Sequence, residues 1–312
     1  ILGTGKQGTA AAYDILLYAV PKQLILLDSN TSSLKDCISK IKFVKSNKTE
    51  IISKVIDLND KSELIKILNK CDIFLSAVPY PFNPFLTKIA IETNTSMVDL
   101  GGHTKNVIKQ LSCNEQAKKK NISIVPDCGM GPGMNVTMAL LAMEYFDKPE
   151  DILIWDGGLP QNPKPPWNYS LFFNIQGLTN EYDGNAYFLR DKKVTEVPCF
   201  EDIEELEFEG IGTLEAAITS GGLSTMPWTF EGKLNRLENK TLRYKGHWEQ
   251  MKSFRELGLF DEKKINFKNS KFSAREFYHF LLEPKLGYND RNDICLMRVD
   301  GTGIKDLSLI HI

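Results

Sequence analysis

The chain has 312 residues, 42% hydrophobic and 25% charged, with a formal net charge of -2. That balance belongs to an ordinary globular protein and gives no electrostatic reason to expect nucleic acid or an anionic membrane as partner. No apolar run approaches the length of a bilayer span. Six scattered cysteines with no C-x-x-C pair, and only four histidines, argue against a zinc site and fit the reduced thiols of a cytoplasm.

The first element is a glycine fingerprint, G-x-G-x-x-G, with Gly3, Gly5 and Gly8 in Ile-Leu-Gly-Thr-Gly-Lys-Gln-Gly. A helix is predicted over 7–19, then an apolar strand Leu24-Ile25-Leu26-Leu27 that ends on Asp28, about twenty residues beyond the glycines. The first glycine allows a tight turn, and the second lets the backbone approach a pyrophosphate at the positive end of the helix. The third lets helix and strand pack closely. Gly3, Gly5, Lys6, Gln7 and Gly8 are therefore expected to cradle a dinucleotide, with Asp28 accepting from a ribose 2′-hydroxyl. Its carboxylate would repel a 2′-phosphate and no arginine follows closely, so NAD is expected rather than NADP. Only Ile1 and Leu2 stand before the glycines, which leads us to expect a first strand that is truncated.

Alternation of short strands and helices continues to about Pro126, the signature of a parallel α/β sheet. A helix is predicted over 33–45 and a strand over 51–56 closing on Asp57, an acidic strand end of the kind that often meets an adenine edge and, as a lone feature, does not decide the matter. A helix over 62–68 leads to the run 73–79, whose small Ser76 and Ala77 suit passage beneath a nicotinamide ribose; Ala77, Val78 and Pro79 join the expected cofactor set. Strand ends at 97–102 and 122–129 place Asp99, His103, Asp127 and Cys128 toward the crevice where open α/β sheets bind ligands.

From Gly129 the character changes. A rigid bend, Gly129-Met130-Gly131-Pro132-Gly133, leads into a helix over 135–146 whose small and apolar residues are expected to be buried. Strands are predicted over 152–155, 169–175, 186–189 and 293–299, and helices over 212–219 and 245–257. The expected architecture is α/β: a Rossmann-type parallel sheet over 1–133, then a second α+β domain for substrate and dimerisation over 134–301. The tail 302–312 continues no recognisable pattern and is set aside as a non-native end.

Four stretches carry a resemblance: Val-Pro-Asp-Cys-Gly-Met-Gly-Pro-Gly-Met-Asn (125–135), Gly-Gly-Leu-Pro-Gln-Asn-Pro (157–163), Thr-Ser-Gly-Gly-Leu-Ser-Thr-Met-Pro (219–227) and Thr-Leu-Arg-Tyr-Lys-Gly-His (241–247). They resemble the saccharopine dehydrogenase-like family, and within it the L-lysine 6-dehydrogenase branch, over nearly the whole chain to about Val299. The resemblance implies NAD-linked oxidation of a C–N bond in a lysine-related amino acid, a small-molecule substrate, and a homodimer or higher homo-oligomer formed through the second domain's sheet. Saccharopine-forming members carry an arginine after the second domain's aromatic strand to hold an extra carboxylate. The stretch 173–178 here has Gln176 and no arginine, which favours a substrate with one carboxylate, such as lysine, oxidised to 2-aminoadipate 6-semialdehyde with release of ammonia. Secondary-amine chemistry of the saccharopine or carboxyspermidine type, and a non-catalytic NAD-binding sensor, remain as alternatives.

Such chemistry needs a cation for the α-carboxylate, and Arg243 either supplies it bidentately or forms a surface ion pair. Glu181 or Asp127 would receive the α-amine; Asp127 equally suits the cap of the helix after the glycine bend. His103 and His247 are candidates for proton transfer, with an ordinary pKa near 6.5, whereas His279 lies in an aromatic stretch that reads as packing. Asp99 either handles protons or bonds the amides of Gly101 and Gly102. Cys128 is either a thiol activated at a helix start or a small buried one. Trp167, Tyr169 and Tyr244 either wall the amine pocket or pack in the core.

Overall fold

Leu2 occupies the middle of the first sheet, bridging in parallel to Leu27 on one side and Ser76 on the other. The computed structural model describes residues 1–44, 49–268, 270–287 and 292–312, and the chain divides into two units, Ile1–Gly129 and Met130–Ile312. The boundary thus falls at the head of the glycine bend, four residues before the expected one. No helix among the described residues is long and apolar enough to cross a membrane.

In the first unit α1 (Lys6–Asp14), extended by a π-helical turn (Ile15–Ala19), precedes β1 (Gln23–Asp28) and α2 (Thr31–Ile41). The expected end of that helix, at Lys45, lies outside the described residues. β2 (Glu50–Val55), α3 (Lys61–Leu68), β3 (Ile73–Ser76), α4 (Asn83–Thr93), β4 (Ser96–Asp99), α5 (Thr104–Leu111), α6 (Asn114–Lys119) and β5 (Ile124–Val125) follow. All pairings are parallel, in the order β2, β1, Leu2, β3, β4, β5. Successive residues Leu26 and Leu27 enter different cores, one with Ala12, Leu34 and Ile41, the other with Leu64, Phe74 and Leu86. A strand covered on both faces needs that unbroken apolar run.

The second unit holds α7 (Met134–Met143), β6 (Lys148–Pro160), α8 (Ile175–Tyr182), β7 (Asn185–Arg190), β8 (Lys193–Pro198), β9 (Glu204–Phe208) and β10 (Gly212–Ile218). After them come α9 (Met226–Phe230), β11 (Arg236–Tyr244), α10 (His247–Glu256), β12 (Lys264–Phe267), β13 (Ser270–Ser273), α11 (Ala274–Leu286), β14 (Asp293–Lys305) and β15 (Ser308–His311). Its main sheet runs β15, β14, β6, β11, β10, β9, with β6 and β11 parallel and the other pairs of that row antiparallel. β7 touches β11 at Leu189 and Leu237 and pairs with β8.

Four expectations are corrected here. The helix expected over 212–219 is β10: its Leu, Glu and Ala content favours helix locally, but β9 and β11 flank it and bury Leu214, Ala216, Ala217 and Ile218. The strand expected over 169–175 is irregular chain that drops Tyr169 and Leu171 into the core, and Asn174 then caps α8 by accepting from the Gln176 amide at 2.7 Å. Only one side of α7 is buried, through Asn135, Ala139 and Ala142, while Met134, Met138, Leu140 and Leu141 are exposed. The segment 302–312, set aside from the fold above, completes β14 and turns back as β15, with Thr302 opposite His311. Asp306 and Leu307 take φ values of 49° and 64°, the left-handed pair that a two-residue hairpin needs.

Leu237 is fully buried at the meeting point of β11, β6 and β7. Leu237→Ala should lower unfolding free energy by about 2–5 kcal/mol, read as a lower urea midpoint at unchanged slope.

Candidate functional site

In the first unit the three glycines do three different jobs. Gly3 has φ +88°, and a Cβ there would lie 2.6 Å from the Ala77 carbonyl oxygen. A Cβ on Gly8 would lie 1.9 Å from the Gly3 carbonyl oxygen, so only glycine lets α1 press on the loop. A Cβ on Gly5 would meet nothing within 4 Å, and no side chain caps α1. Open space therefore faces the positive end of a helix whose first turn, Lys6 and Gln7, is exposed. That combination fits a pyrophosphate.

Asp28 closes the cradle from the end of β1. Its Oδ2 accepts from the Thr4 amide at 2.7 Å and the Thr4 hydroxyl at 3.0 Å, and its Oδ1 from the Asn30 amide at 2.8 Å. Ala77 donates its amide to the Leu2 carbonyl at 2.8 Å, and Val78 lies against Gly3, with Pro79 next in the chain. Gly3, Gly5, Gly8, Asp28, Ala77 and Val78 are thus brought together around one loop. Asp57 is exposed at the end of β2 and accepts twice from Asn59, at 2.9 Å each, as a turn-former.

The polar strand ends of this unit sort differently. Asp99 is completely buried; Oδ1 accepts from the amides of Gly101 (2.8 Å) and Asp127 (3.2 Å), and Oδ2 from the Gln110 amide nitrogen at 2.7 Å. Both oxygens are spent on holding the turn. Asp127, at φ 60°, lies against Gly101. It does not cap the helix after the glycine bend, because Gly133 is the N-cap of α7. His103 precedes α5 and stacks on Tyr80 with ring centroids 5.2 Å apart and planes nearly parallel; burial, then Lys105 and Lys109, lowers its pKa. Cys128 corrects both expectations: it is exposed, and partial burial together with the charges of Asp99 and Asp127 raises its pKa.

The second unit carries a buried polar cluster centred on Arg243, which is 3% exposed and not on the surface. Its Nε donates to the Tyr182 hydroxyl at 2.8 Å and its Nη1 to the Leu242 carbonyl at 2.8 Å. Among the described residues Nη2 makes no hydrogen bond; its nearest ion-pair partner there is Glu181 Oε1 at 3.8 Å, too far for one. The guanidinium carbon lies 4.8 Å from the Tyr169 ring centroid, 5.6 Å from Trp248 and 5.7 Å from Tyr182. Glu181 accepts from the Thr241 hydroxyl at 3.2 Å, retains some exposure, and burial raises its pKa.

His247 joins this cluster, with Nε2 2.9 Å from the Tyr182 hydroxyl and Nδ1 3.4 Å from the Trp167 carbonyl. Burial, and then the charge of Arg243, lowers its pKa to about 3, so the expectation of a base titrating near 6.5 does not hold for it. Tyr244 does not join: it alternates with Arg243 along β11, donates its hydroxyl to the Pro160 carbonyl at 2.9 Å, and packs on the opposite face near Leu214 and Trp155. Trp167 packs on Phe254. His279, on α11, bonds Thr179 of α8 at 2.7 Å.

Tyr182, Asp156, Asn239 and Thr241 belong to the cluster and were not singled out from the sequence. Asp156 faces Thr241 across the parallel pair and accepts from the Asn239 amide at 3.0 Å; burial, then the charge of Glu181, raises its pKa to about 7. A signal was there to find. A strand with partners on both sides should read as an apolar run, yet β11 carries Asn239, Thr241 and Arg243 on one face and Glu238 and Lys240 on the other, all buried.

Residues 1–125 match the family model of the saccharopine dehydrogenase NADP binding domain, and residues 129–307 that of the saccharopine dehydrogenase C-terminal domain. The chain belongs to the saccharopine dehydrogenase family. Among curated relatives, the "Saccharopine dehydrogenase [NADP(+), L-glutamate-forming]" of Saccharomyces cerevisiae is 26% identical over 148 residues, covering 46% of this chain and 32% of its own length. The rat "Alpha-aminoadipic semialdehyde synthase, mitochondrial" is 24% identical over 243 residues, covering 69% of this chain and 25% of its own. The Pyricularia oryzae saccharopine dehydrogenase is 24% identical over 221 residues, covering 68% and 48%. The chain therefore spans between a quarter and about half of these relatives' lengths. The solved structure of the yeast enzyme shares the family fold with a TM-score of 0.73 at 17% identity, covering 99% of this chain and 82% of that one.

The His247 shift has a measurable consequence. Its pKa is about 3 folded and near 6.5 unfolded, so between those values the unfolded chain binds the extra proton. Its contribution is fully present above pH 6.5 and is lost as pH falls toward 3. Chemical denaturation of wild type and His247→Gln across that window should show a steeper acid loss in wild type, by up to one proton.

Proposed function

We propose that this chain is an NAD-linked oxidoreductase acting on the C–N bond of a lysine-related amino acid, with lysine itself as substrate. The observation that carries the reading is the Arg243 cluster. A buried guanidinium with Nη2 left without a hydrogen bond, facing a carboxylate that stands off at 3.8 Å, suits an α-amino acid head group: carboxylate on Arg243, ammonium on Glu181. The aromatic faces around it would line the path of an aliphatic chain. Gln176, exposed on the first turn of α8, offers no second cation for an extra carboxylate.

A nicotinamide dinucleotide held by Gly3, Gly5, Gly8 and Asp28 would take the hydride from the ε-carbon. Lysine, NAD⁺ and water would then give 2-aminoadipate 6-semialdehyde, ammonia, NADH and a proton. The chain's own contribution is positioning: Arg243 and Glu181 fix the far end of the substrate so that the distal amine is presented in one orientation. Asp28, with Ser29 and Asn30 rather than arginine after it, supports NAD over NADP. A second reading, cleavage or formation of a secondary amine, is favoured by the names of the curated relatives, which also specify NADP(+).

A panel of lysine, ornithine, saccharopine and diamines, each assayed with NAD and with NADP, separates these readings. We expect NADH formation with lysine and lower efficiency with NADP. Turnover confined to saccharopine supports the second reading, and equal or better efficiency with NADP removes the role given to Asp28.

Arg243→Ala should cost about 2–4 kcal/mol in kcat/KM for lysine, the scale of losing one charge of a desolvated pair. Arg243→Lys should raise KM markedly, because an ammonium cannot copy the guanidinium fork. The loss should shrink for cadaverine, which has no carboxylate. Equal losses on both substrates would make Arg243 structural.

A further inference from the structure

One proton arrangement around Tyr182 and His247 gives every donor an acceptor. Arg243 Nε can only donate, so the Tyr182 oxygen accepts there, at 2.8 Å. The single hydroxyl proton of Tyr182 is then left for His247 Nε2, at 2.9 Å, which must be bare to accept it. The other ring nitrogen, Nδ1, faces the carbonyl oxygen of Trp167 at 3.4 Å, an acceptor with no proton of its own, so Nδ1 carries the hydrogen. Donation therefore runs in one direction, from Arg243 Nε–H to Tyr182, from the Tyr182 hydroxyl to Nε2, and from Nδ1–H to the Trp167 carbonyl.

Each member is locked by packing. Tyr182 is fully buried and His247 is 1% exposed, and Tyr182 stands edge-on to Trp248, with ring centroids 5.1 Å apart. Trp248 in turn donates its indole N–H to the Glu215 carbonyl at 3.0 Å, which fixes the wall behind both rings. The guanidinium is planar. Fixing Nε against Tyr182 and Nη1 against the Leu242 carbonyl sets the direction in which Nη2 points.

We propose that Tyr182 and His247 are positioning residues for Arg243: the chain Trp167–His247–Tyr182 orients the guanidinium so that its Nη2 edge stays aimed at the substrate carboxylate. This rests on the reading of Arg243 as the carboxylate anchor. His247 then acts through its hydrogen bonds as a neutral imidazole and never as a proton carrier. Tyr182 holds the angle of a charge and touches no reacting atom.

The test uses the whole chain and a probe that cannot react. L-norleucine has the head group of lysine and no distal amine, so its binding by calorimetry reads the anchor without turnover. Tyr182→Phe keeps the ring and removes the hydroxyl; it should weaken L-norleucine about tenfold and raise KM for lysine equally, with kcat little changed. His247→Leu should repeat that loss, whereas His247→Gln, whose amide oxygen can accept from Tyr182, should recover most of it. In wild type, the ring nitrogens of ¹⁵N-labelled histidine, assigned by their absence in His247→Gln, should show Nδ1 protonated and Nε2 bare from about pH 5 to 8. If Tyr182→Phe does not fold, the Leu and Gln variants of His247 carry the same comparison.

An Nε2–H tautomer, or unchanged L-norleucine binding in Tyr182→Phe and His247→Leu, overturns the proposal. So does a fall in kcat at constant KM, which would make Tyr182 part of the chemistry. Wild type that binds L-norleucine but oxidises no amine overturns the proposed reaction, and the Tyr182 and His247 variants then decide the positioning by binding alone. Wild type that does neither overturns both.

Discussion

Arg243 places a full positive charge on a central strand of the second unit, where water reaches only 3% of its surface. Moving an ion out of water is expensive unless dipoles or opposite charges replace the lost hydration. That requirement shapes its surroundings. The Tyr182 hydroxyl and the Leu242 carbonyl take two of its nitrogens, the ring centroids of Tyr169 and Trp248 lie 4.8 and 5.6 Å from its central carbon, and Glu181 stands at the open edge. Thr241 bonds Glu181 from below, and Asp156 lies beside Thr241 on the neighbouring strand. The buried Asp156 carboxyl, the partly exposed Glu181 carboxyl and one guanidinium thus lie close together, and desolvation raises both carboxyl pKa values.

Other charged groups of the unit show what full satisfaction looks like. Glu238, on the opposite face of β11, accepts from Arg236 at 2.8 and 3.1 Å and from Arg190 at 2.9 Å, and its pKa falls because these bonds outweigh its burial. Arg275 donates to Asp183, Glu262, Asn180 and the Phe260 carbonyl. Each carboxylate oxygen of Glu238 and each nitrogen of Arg275 has at least one hydrogen-bond partner, and we read both as structural. Arg243 differs by keeping Nη2 without a hydrogen bond inside an otherwise closed shell. A side chain that is buried and incompletely paired is costly to keep, and a ligand carboxylate would complete it.

The first unit meets a different constraint, the close approach of backbone to backbone. Gly8 lets α1 sit on the carbonyl of Gly3, and Gly3 sits on the carbonyl of Ala77, so loop, helix and the end of β3 form one rigid surface. Asp28 ties the same loop to β1 through Thr4. Asp99 does comparable work at the neighbouring strand end, where its two oxygens take three donors. Its polarity marks a turn, as one of the two readings of the sequence had it.

The glycine spacing, the apolar run into Asp28 and the alternation of strands and helices were enough to read the first unit from sequence, because each depends on local backbone geometry and period. Arg243, Glu181, Tyr169 and His247 were each legible as candidates through residue type, alongside Asp99, His103, Asp127, Cys128 and Tyr244. Their mutual bonding was not. Tyr182 became visible only when α8 was placed over β11, and Tyr244 was separated from Arg243 only when the pleat put them on opposite faces. The strand at 212–218 is non-local too, defined by hydrogen bonds to β11 that a propensity window does not contain, and β14 is fixed by its pairing with β6 rather than by its own short turn into β15. Sequence by itself determined the nucleotide cradle and the family; tertiary structure decided which polar residues share a buried space, because desolvation and hydrogen-bond direction exist only once distant segments are packed together.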